Sequence, residues 1–305
     1  MKKIFILLLI PALLPLFSFA QHSDDSKGLA DLRMYRDSLL YWGDKLINDD
    51  TDVERMNANA GFIKTLVKAL KISHSFNFSF DSVKYMTVLN SPDSRFRIFT
   101  WHIQYDDGSY RFYGTVQMNT GDKLLMFPMD DYSPFIKNPE DTITNSRKWY
   151  GAQYYKIIPV YTEQNPYYVL LGWKGNNVKT TKKVIEVLSF NRDGIPVYGR
   201  SVFDGNMKIR KRVVFEYTRQ ASMLLNYVPD EHLIVFDHLA PSDKKQKGHF
   251  DMYGPDLSYD GYRFNNGRWE YVENLDMRNK AQGGDNDYID PKKQAQIDKA
   301  ASGGN

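Results

Sequence analysis

The sequence predicts a mainly β fold: a large antiparallel meander, propeller-like or sandwich-like, that follows an N-terminal two-helix hairpin. Aromatic residues, which are enriched in strands, make up 14% of the 305 residues. Between residues 150 and 203, apolar runs of strand length alternate with turn-forming segments rich in Asn, Gly and Pro. These runs are too apolar for a sheet with both faces in water, so this stretch is predicted to form the core. The short turns favour antiparallel pairing, because parallel strands need long crossover connections.

Residues 21–75 are predicted to form a helical hairpin that packs on the sheet. Apolar residues recur at helical spacing over residues 28–48 and again after residue 52, and residues 21–27 are predicted to be a polar leader. Thr51 and Glu54 have the spacing of a capping box, which marks the start of the second helix. The connection between the helices is short, so they are predicted to lie antiparallel.

Residues 76–277 are predicted to form one antiparallel β domain. Three phenylalanines in residues 76–80 alternate with polar residues and predict an edge strand. Residues 96–104 and 110–118 are predicted strands, and the Asn-Asn-Gly sequence at residues 265–267 predicts a hairpin turn.

The longest irregular insertion in this domain is the stretch at residues 128–148. It contains three prolines and four acidic residues. Loops of this length either carry function or cover the edge of a sheet. Whether this loop covers a pocket is therefore the most informative structural question.

Residues 1–20 have the three parts of a signal peptide. Lys2 and Lys3 precede an apolar run, which ends in the small-residue sequence Ser-Phe-Ala before a predicted cleavage after Ala20. Two prolines interrupt the run, which falls short of a membrane span. The chain is therefore expected to be periplasmic or secreted, with no integral membrane segment in the mature protein. The polar residues 278–305 are predicted to be a disordered tail.

The composition excludes several classes of function. The chain has no cysteine, which removes disulfides, thiolate nucleophiles and cysteine metal sites. Loss of the two signal lysines lowers the formal charge from +3 to +1, so no nucleic-acid partner is predicted. The sequence has no nucleophile elbow, phosphate-binding loop, zinc-binding helix or calcium loop, and neither a metal nor a cofactor is predicted.

Asp237 and His238 are the most informative ionisable pair. They end a strand whose residues 233–236 are apolar on both parities and therefore predicted to be buried. An acid and an imidazole at the point where a buried strand reaches the surface can form a general acid–base pair or ligate a metal. Three residues nearby in sequence are candidates to complete such a site: His232, His249 and Asp251. The alternative is that Asp237 and His238 are hydrogen-bonded structural groups.

Asp260 belongs to a second group, together with Asp256 and Tyr262. Two carboxylates four residues apart can act as an acid–base pair or as oxygen ligands for calcium. In the alternative interpretation both are structural, with Asp256 at the end of a loop and Asp260 in a turn or a bulge.

Trp173, Asn176 and Asn177 are candidate ligand-binding residues. An indole near a loop tip, with amide side chains beside it, can stack on a sugar ring and hydrogen-bond its hydroxyl groups. The alternative is that Trp173 packs in the core between strands.

Several sequence blocks between residues 91 and 278 are distinctive as an ensemble. They are Trp-Tyr-Gly-Ala at 149–152, Tyr-Lys-Ile-Ile-Pro-Val at 155–160, Leu-Gly-Trp-Lys-Gly-Asn-Asn at 171–177, Ile-Val-Phe-Asp-His-Leu at 234–239 and Ser-Tyr-Asp-Gly-Tyr at 258–262. Together they resemble a group of secreted, β-rich, uncharacterised proteins of Bacteroidota. The resemblance implies a periplasmic or cell-surface setting and points to no catalytic residue.

The function that the sequence favours is an exported envelope protein that binds or scaffolds. The sequence does not specify its partner, and an envelope protein and a glycan are the two classes considered. One alternative is a hydrolase that uses carboxylates or a His/Asp site formed by Asp237, His238 and Asp260. Another is a glycan-binding module that uses Trp173. Clustering of the three ionisable residues in one concave pocket favours the hydrolase, and a flat or convex aromatic patch around Trp173 favours glycan binding.

Overall fold

The computed structural model describes residues 18–162, 166–205 and 208–277. Residues 1–17 of the predicted signal peptide and the predicted tail at residues 278–305 lie outside the described residues. Within the described part, no helix combines the length and the apolar character that crossing a membrane requires.

Two helices begin the described chain, α1 (Ser18–Asn48) and α2 (Asp52–Leu70), and they pack against each other. The predicted capping box is confirmed. The Thr51 hydroxyl accepts a hydrogen bond from the Glu54 amide, and the Glu54 carboxylate accepts one from the Thr51 amide, both at 3.2 Å. The polar residues 21–27, predicted as a leader to the first helix, are part of that helix, because α1 begins at Ser18. Residues 18–27 contain no proline or glycine that would end the helix, so α1 continues through them to Gly28 and beyond.

Fourteen strands in the described part form three antiparallel sheets, which confirms the predicted mainly β fold behind a helical hairpin. Sheet 1 contains β1 (Thr87–Asn90), β2 (Phe96–Gln104), β3 (Tyr110–Met118) and β4 (Met126–Asp130), paired in chain order. Sheet 2 contains β5 (Thr144–Asn145), β6 (Gln153–Val160), β7 (Tyr167–Gly175), β8 (Thr180–Phe190), β9 (Pro196–Tyr198) and β10 (Val213–Thr218). Its order is β5-β9-β8-β7-β6, and β10 also pairs with β8. Sheet 3 contains β11 (Leu225–Val228), β12 (Leu233–Pro241), β13 (Tyr253–Asn265) and β14 (Arg268–Val272), again in chain order.

Three buried apolar clusters divide the described fold into four layers. The first cluster lies between the helices and sheet 1, the second between sheets 1 and 2, and the third between sheets 2 and 3. Alternation of side chains along each strand separates the clusters: on β2, Phe99 faces the helices and Ile98 faces sheet 2. On β7, Leu170 faces sheet 1 and Val169 faces sheet 3. Sheet 2 is therefore buried on both faces, which explains the apolar character of residues 150–203.

The edge strand predicted for residues 76–80 is wrong. The segment begins with a short 3-10 helix, Ser75–Asn77, and forms no strand. Its carbonyls are bonded to a buried guanidinium instead: Arg97 donates to the Ser75 carbonyl at 2.7 Å and to the Phe78 carbonyl at 2.8 Å. Arg97 also stacks within 5.3 Å of the Phe76 and Phe80 ring centroids. The alternation of phenylalanines therefore reflects packing around Arg97 rather than strand pairing.

The irregular loop at residues 128–148 is fixed to the segment that precedes β10. Its first residues extend β4, and two of its later residues form β5. The Glu140 carboxylate pairs with Arg210 at 3.0 Å, and Asp141 pairs with Lys208. These charge-assisted contacts give the loop a defined position over the sheets.

Candidate functional site

The first candidate site is built where β12 pairs with β13. Residues 233–236 are buried, as predicted. The register shifts between Asp237 and Leu239, whose partners on β13 are Tyr259 and Pro255, so the extra residues of this bulge lie on β13 opposite His238. Asp260 pairs with Phe236, and alternation on β13 places it on the face towards sheet 2. The prediction that Asp256 ends a loop and that Asp260 forms a turn or a bulge is wrong, because both residues lie in β13.

Asp260 accepts all the hydrogen bonds of a small network that includes His238, Tyr271 and Asn274. It is 2% exposed, and its Oδ2 accepts hydrogen bonds from His238 Nδ1 at 2.6 Å and from the Tyr271 hydroxyl at 2.5 Å. The Asn274 amide donates to Oδ1 at 3.0 Å. Among the described residues, Nε2 of His238 has no hydrogen-bond partner. Asp260 therefore fixes the imidazole ring and leaves its other nitrogen available.

The network shifts the pKa values of both partners towards a charged pair. Burial disfavours the Asp260 carboxylate, but the hydrogen bonds from Tyr271, His238 and Asn274 outweigh burial and lower the pKa of Asp260. The hydrogen bond to Asp260 raises the pKa of His238 above the usual 6.5, although partial burial of the ring opposes this. His238 is thus a stronger base than a free imidazole.

A cavity of about 230 Å³, which we call the dyad cavity, opens beside this network. The His238 side chain is 44% exposed and forms part of its wall. The described residues that line the cavity are Asp204, Gly205, Arg210, Val213, Val214, Phe215, Phe236, Asp237, His238, Leu239, Asp260, Tyr262 and Tyr271. The three ionisable residues proposed from the sequence therefore share one concave site.

Asp237 has a structural contact within this site. Its Oδ2 accepts a hydrogen bond from the Leu224 amide at 2.6 Å, and its own amide donates to the Leu224 carbonyl at 3.2 Å. These bonds attach the residue before β11 to β12. His238 and Asp260 remain as the pair that is available for chemistry.

The other histidines and acids considered from the sequence lie elsewhere. His232 ends a short 3-10 helix before β12, with its ring 3.4 Å from the Tyr227 hydroxyl. His249 and Asp251 line a separate, shallow cavity. The Asp256 carboxylate accepts hydrogen bonds from the amide and hydroxyl of Ser258, so it acts on His238 only through its charge.

Trp173 packs among aromatic rings rather than on a flat surface. Its ring centroid lies 5.0 Å from His102 and 5.4 Å from Tyr110, and its indole N–H donates to the Thr181 hydroxyl at 2.9 Å. Trp173 and Tyr110 line part of a cavity of about 330 Å³. The amide groups beside it shape the turn between β7 and β8: Asn176 donates to Thr180 and Glu216, and Asn177 accepts from the amides of Lys179 and Thr180.

Tyr271 and Arg210, which line the dyad cavity, were not predicted from the sequence, and neither was the Asn274 amide, which donates to Asp260. A signal for Tyr271 was present, because a two-residue turn at Asn266 and Gly267, both with positive φ, fixes the register of the last hairpin. That register pairs Tyr262 with Tyr271 and makes Tyr271 the diagonal neighbour of Asp260. Nothing in the local sequence indicates that Arg210 reaches the same cavity.

No three His, Asp or Glu side chains of the described residues lie close enough together to hold a metal ion. Comparisons of the chain with models of known protein families, with curated proteins and with solved structures yield no match.

Proposed function

We propose that the protein is a hydrolase in which His238, oriented by Asp260, acts as general base on a water molecule. The observation that carries this proposal is the 2.6 Å hydrogen bond between His238 Nδ1 and Asp260 at the wall of a cavity. A carboxylate that accepts from Nδ1 selects the tautomer whose Nε2 can take up a proton. Tyr271 supports the geometry, because its hydroxyl holds the same carboxylate oxygen at 2.5 Å.

The reaction that this pair supports is addition of water to a carbonyl group. Nε2 of His238 accepts a proton from water while the water oxygen bonds to the carbonyl carbon, and the carbonyl π electrons move to the carbonyl oxygen. Collapse of the tetrahedral intermediate breaks the bond to the leaving alkoxide, which takes the proton from the imidazolium. Asp260 stays ionised throughout and stabilises the imidazolium. No serine, threonine or cysteine is among the described residues that line the cavity, so water is the nucleophile.

The substrate class follows from the size and charge of the dyad cavity. About 230 Å³ admits a small acyl group rather than a long chain. Its lining has three carboxylates and one guanidinium besides His238, which disfavours an anionic substrate such as a phosphate ester. An ester is favoured over an amide, because an alcohol is the better leaving group when a single base assists water. The proposed substrate is therefore a neutral ester of a short acyl group.

Initial rates with p-nitrophenyl acetate and p-nitrophenyl octanoate over about pH 5 to pH 9 test this function. We expect kcat/KM to be higher for the acetate, to rise with pH as His238 loses its proton, and to level off above a pKa higher than 6.5. Hydrolysis of the acetate no faster than by an equal concentration of free imidazole would refute the proposal.

We also propose that the protein works outside the cytoplasm, in the envelope or at the surface of the cell. The charged start, the apolar run and the small residues before position 21 support this setting. Mass spectrometry of the protein from its native host is expected to show Gln21 as the first residue. A mature chain that begins at Met1 would contradict export.

A further inference from the structure

Another cavity, which we call the loop cavity, lies beneath the irregular loop at residues 128–148. Its volume is about 640 Å³, within the range of about 300–1,000 Å³ that is typical of ligand pockets. Residues 131, 133–137 and 139 of the loop form one wall, and the start of β3 and the end of β7 form the opposite wall. The ion pairs between the loop and the segment before β10 hold the first wall in place.

Lys174, near the end of β7, is the central residue of this cavity. It is only 5% exposed, and its Nζ donates to Ser133 Oγ at 3.0 Å and lies 3.9 Å from Asp131 Oδ2. The ring centroids of Phe112 and Tyr150 lie 4.6 and 5.0 Å from Nζ. Burial lowers the pKa of Lys174 to about 8, although the charge of Asp131 opposes this effect. The side chain is therefore an ammonium group at pH 7.

The described residues do not use all the donors of this ammonium group. It has three N–H bonds, Ser133 accepts one of them, and 3.9 Å to Asp131 is too long for a hydrogen bond. The Asp131 carboxylate already accepts hydrogen bonds from the amide and hydroxyl of Ser133 and from the Phe112 amide. A buried charge with unused donors costs free energy unless another acceptor completes its bonds.

The charges and rings on the cavity walls indicate the chemistry of that acceptor. Arg111, Lys137 and Lys182 line the cavity with Lys174, whereas Asp131 is the only acid among the described lining residues. An excess of cations attracts a negatively charged ligand. The aromatic residues on the walls, which suit a flat ring, are Tyr105, Tyr110, Phe135 and Tyr150.

We propose that the loop cavity binds a small organic carboxylate that carries an aromatic or sugar ring. The carboxylate accepts hydrogen bonds from the free donors of Lys174, and the ring lies against the aromatic walls. A carboxylate fits this position better than a phosphate dianion, because Asp131 lies only 3.9 Å from the Lys174 ammonium and repels a ligand with one negative charge less than a ligand with two. This inference does not rest on the hydrolase proposal, since the loop cavity and the dyad cavity share no lining residue.

The contact between Ser133 and Lys174 does not indicate a serine nucleophile. The Ser133 hydroxyl donates its proton to Asp131 Oδ1 at 2.6 Å and accepts a hydrogen bond from Lys174. A serine that a lysine activates donates its proton to the amine instead. The direction of these hydrogen bonds therefore favours binding over catalysis at this cavity.

Titration calorimetry at pH 7 with benzoate, D-glucuronate and inorganic phosphate tests this inference. We expect saturable binding of at least one of the two carboxylates, and binding of phosphate weaker by about tenfold or more. Lys174→Met preserves side-chain length and is expected to weaken carboxylate binding at least about tenfold, because a charge-assisted hydrogen bond is lost. Lys183→Met is the matched control: burial also lowers the pKa of Lys183, but this residue lines a different cavity.

A second measurement does not depend on the folding of the Lys174 variant. In the wild-type chain, the bound carboxylate is expected to shift the backbone amide resonances of Ser133, Gly175 and Asn176, which line the loop cavity. The inference is wrong if the wild-type chain binds none of the three probes, or if it binds phosphate more tightly than either carboxylate. It is also wrong if Lys174→Met binds as the wild type does, or if the shifts occur away from this cavity.

Discussion

Replacement of Glu186 by alanine is expected to lower the free energy of unfolding by about 3–5 kcal/mol, the cost of leaving a buried charge without its partner. Glu186 on β8 and Arg212 before β10 are both 0% exposed, and Arg212 Nε donates to Glu186 at 2.5 Å. The Tyr154 hydroxyl donates to the other carboxylate oxygen at 2.8 Å. Removal of the carboxylate therefore leaves the buried Arg212 guanidinium and the buried Tyr154 hydroxyl without their shared acceptor.

A thermal melt measures this effect, and the loss corresponds to roughly 6–20 °C for a domain of this size. Glu231→Ala is the control, because its pair with Arg263 is exposed on both sides and is expected to be worth at most about 1 kcal/mol. Glu186→Leu combined with Arg212→Met should recover much of the stability, since no charge is then left unpaired. If Glu186→Ala had the same Tm as Glu231→Ala, the predicted contribution of the buried pair to stability would be wrong.

His238→Gln is expected to lower kcat/KM for p-nitrophenyl acetate by about 10²–10⁴-fold, the usual contribution of a general base. Glutamine can still donate a hydrogen bond to Asp260, but it has no nitrogen that accepts a proton from water. Asp260→Asn is expected to lower the rate as well, because it removes the charge that orients and stabilises the imidazolium. Initial rates at a pH above the His238 pKa give both values.

His249→Gln is the matched control for this experiment, since His249 is exposed and lines another cavity. Its activity is expected to equal that of the wild type. If His238→Gln keeps full activity and instead loses about 1–3 kcal/mol of stability, the pair is a structural hydrogen bond and the hydrolase proposal is wrong.

Much of the fold could be predicted from the sequence because the signals are local. The capping box at Thr51 and the turn at Asn266 and Gly267 specify backbone geometry through neighbouring residues. The strands β2 and β3 lie at the predicted bounds, and alternation along the sequence supported the prediction of β3. The division into three sheets was not predictable, because it depends on which distant apolar faces pack together. The same limit explains the error at residues 76–80, where the deciding partner is Arg97.

The dyad cavity was partly predictable, because some of its residues follow local sequence patterns. Asp237 and His238 follow a buried strand, which is a local pattern, and Asp260 lies on a strand that sequence signals also mark. The 2.6 Å contact between His238 and Asp260 depends on the register between β12 and β13, which no local pattern specifies. The sequence signal for the loop cavity was weaker. It consists of one lysine, Lys174, in an apolar strand, and the acid beside it in the fold, Asp131, is far away in sequence.

The most direct test of the central claim is the ¹⁵N chemical shift of the His238 ring, measured as a function of pH. The structure predicts a neutral ring that is protonated at Nδ1 and bare at Nε2, with a pKa above 6.5. In Asp260→Asn the pKa should fall, because the hydrogen bond and the charge of Asp260 that raise it are lost. Burial still lowers the pKa, and only the smaller effects of the Asp256 and Glu273 charges still raise it. A neutral ring protonated at Nε2, or a pKa at or below 6.5 in the wild-type chain, would contradict the account.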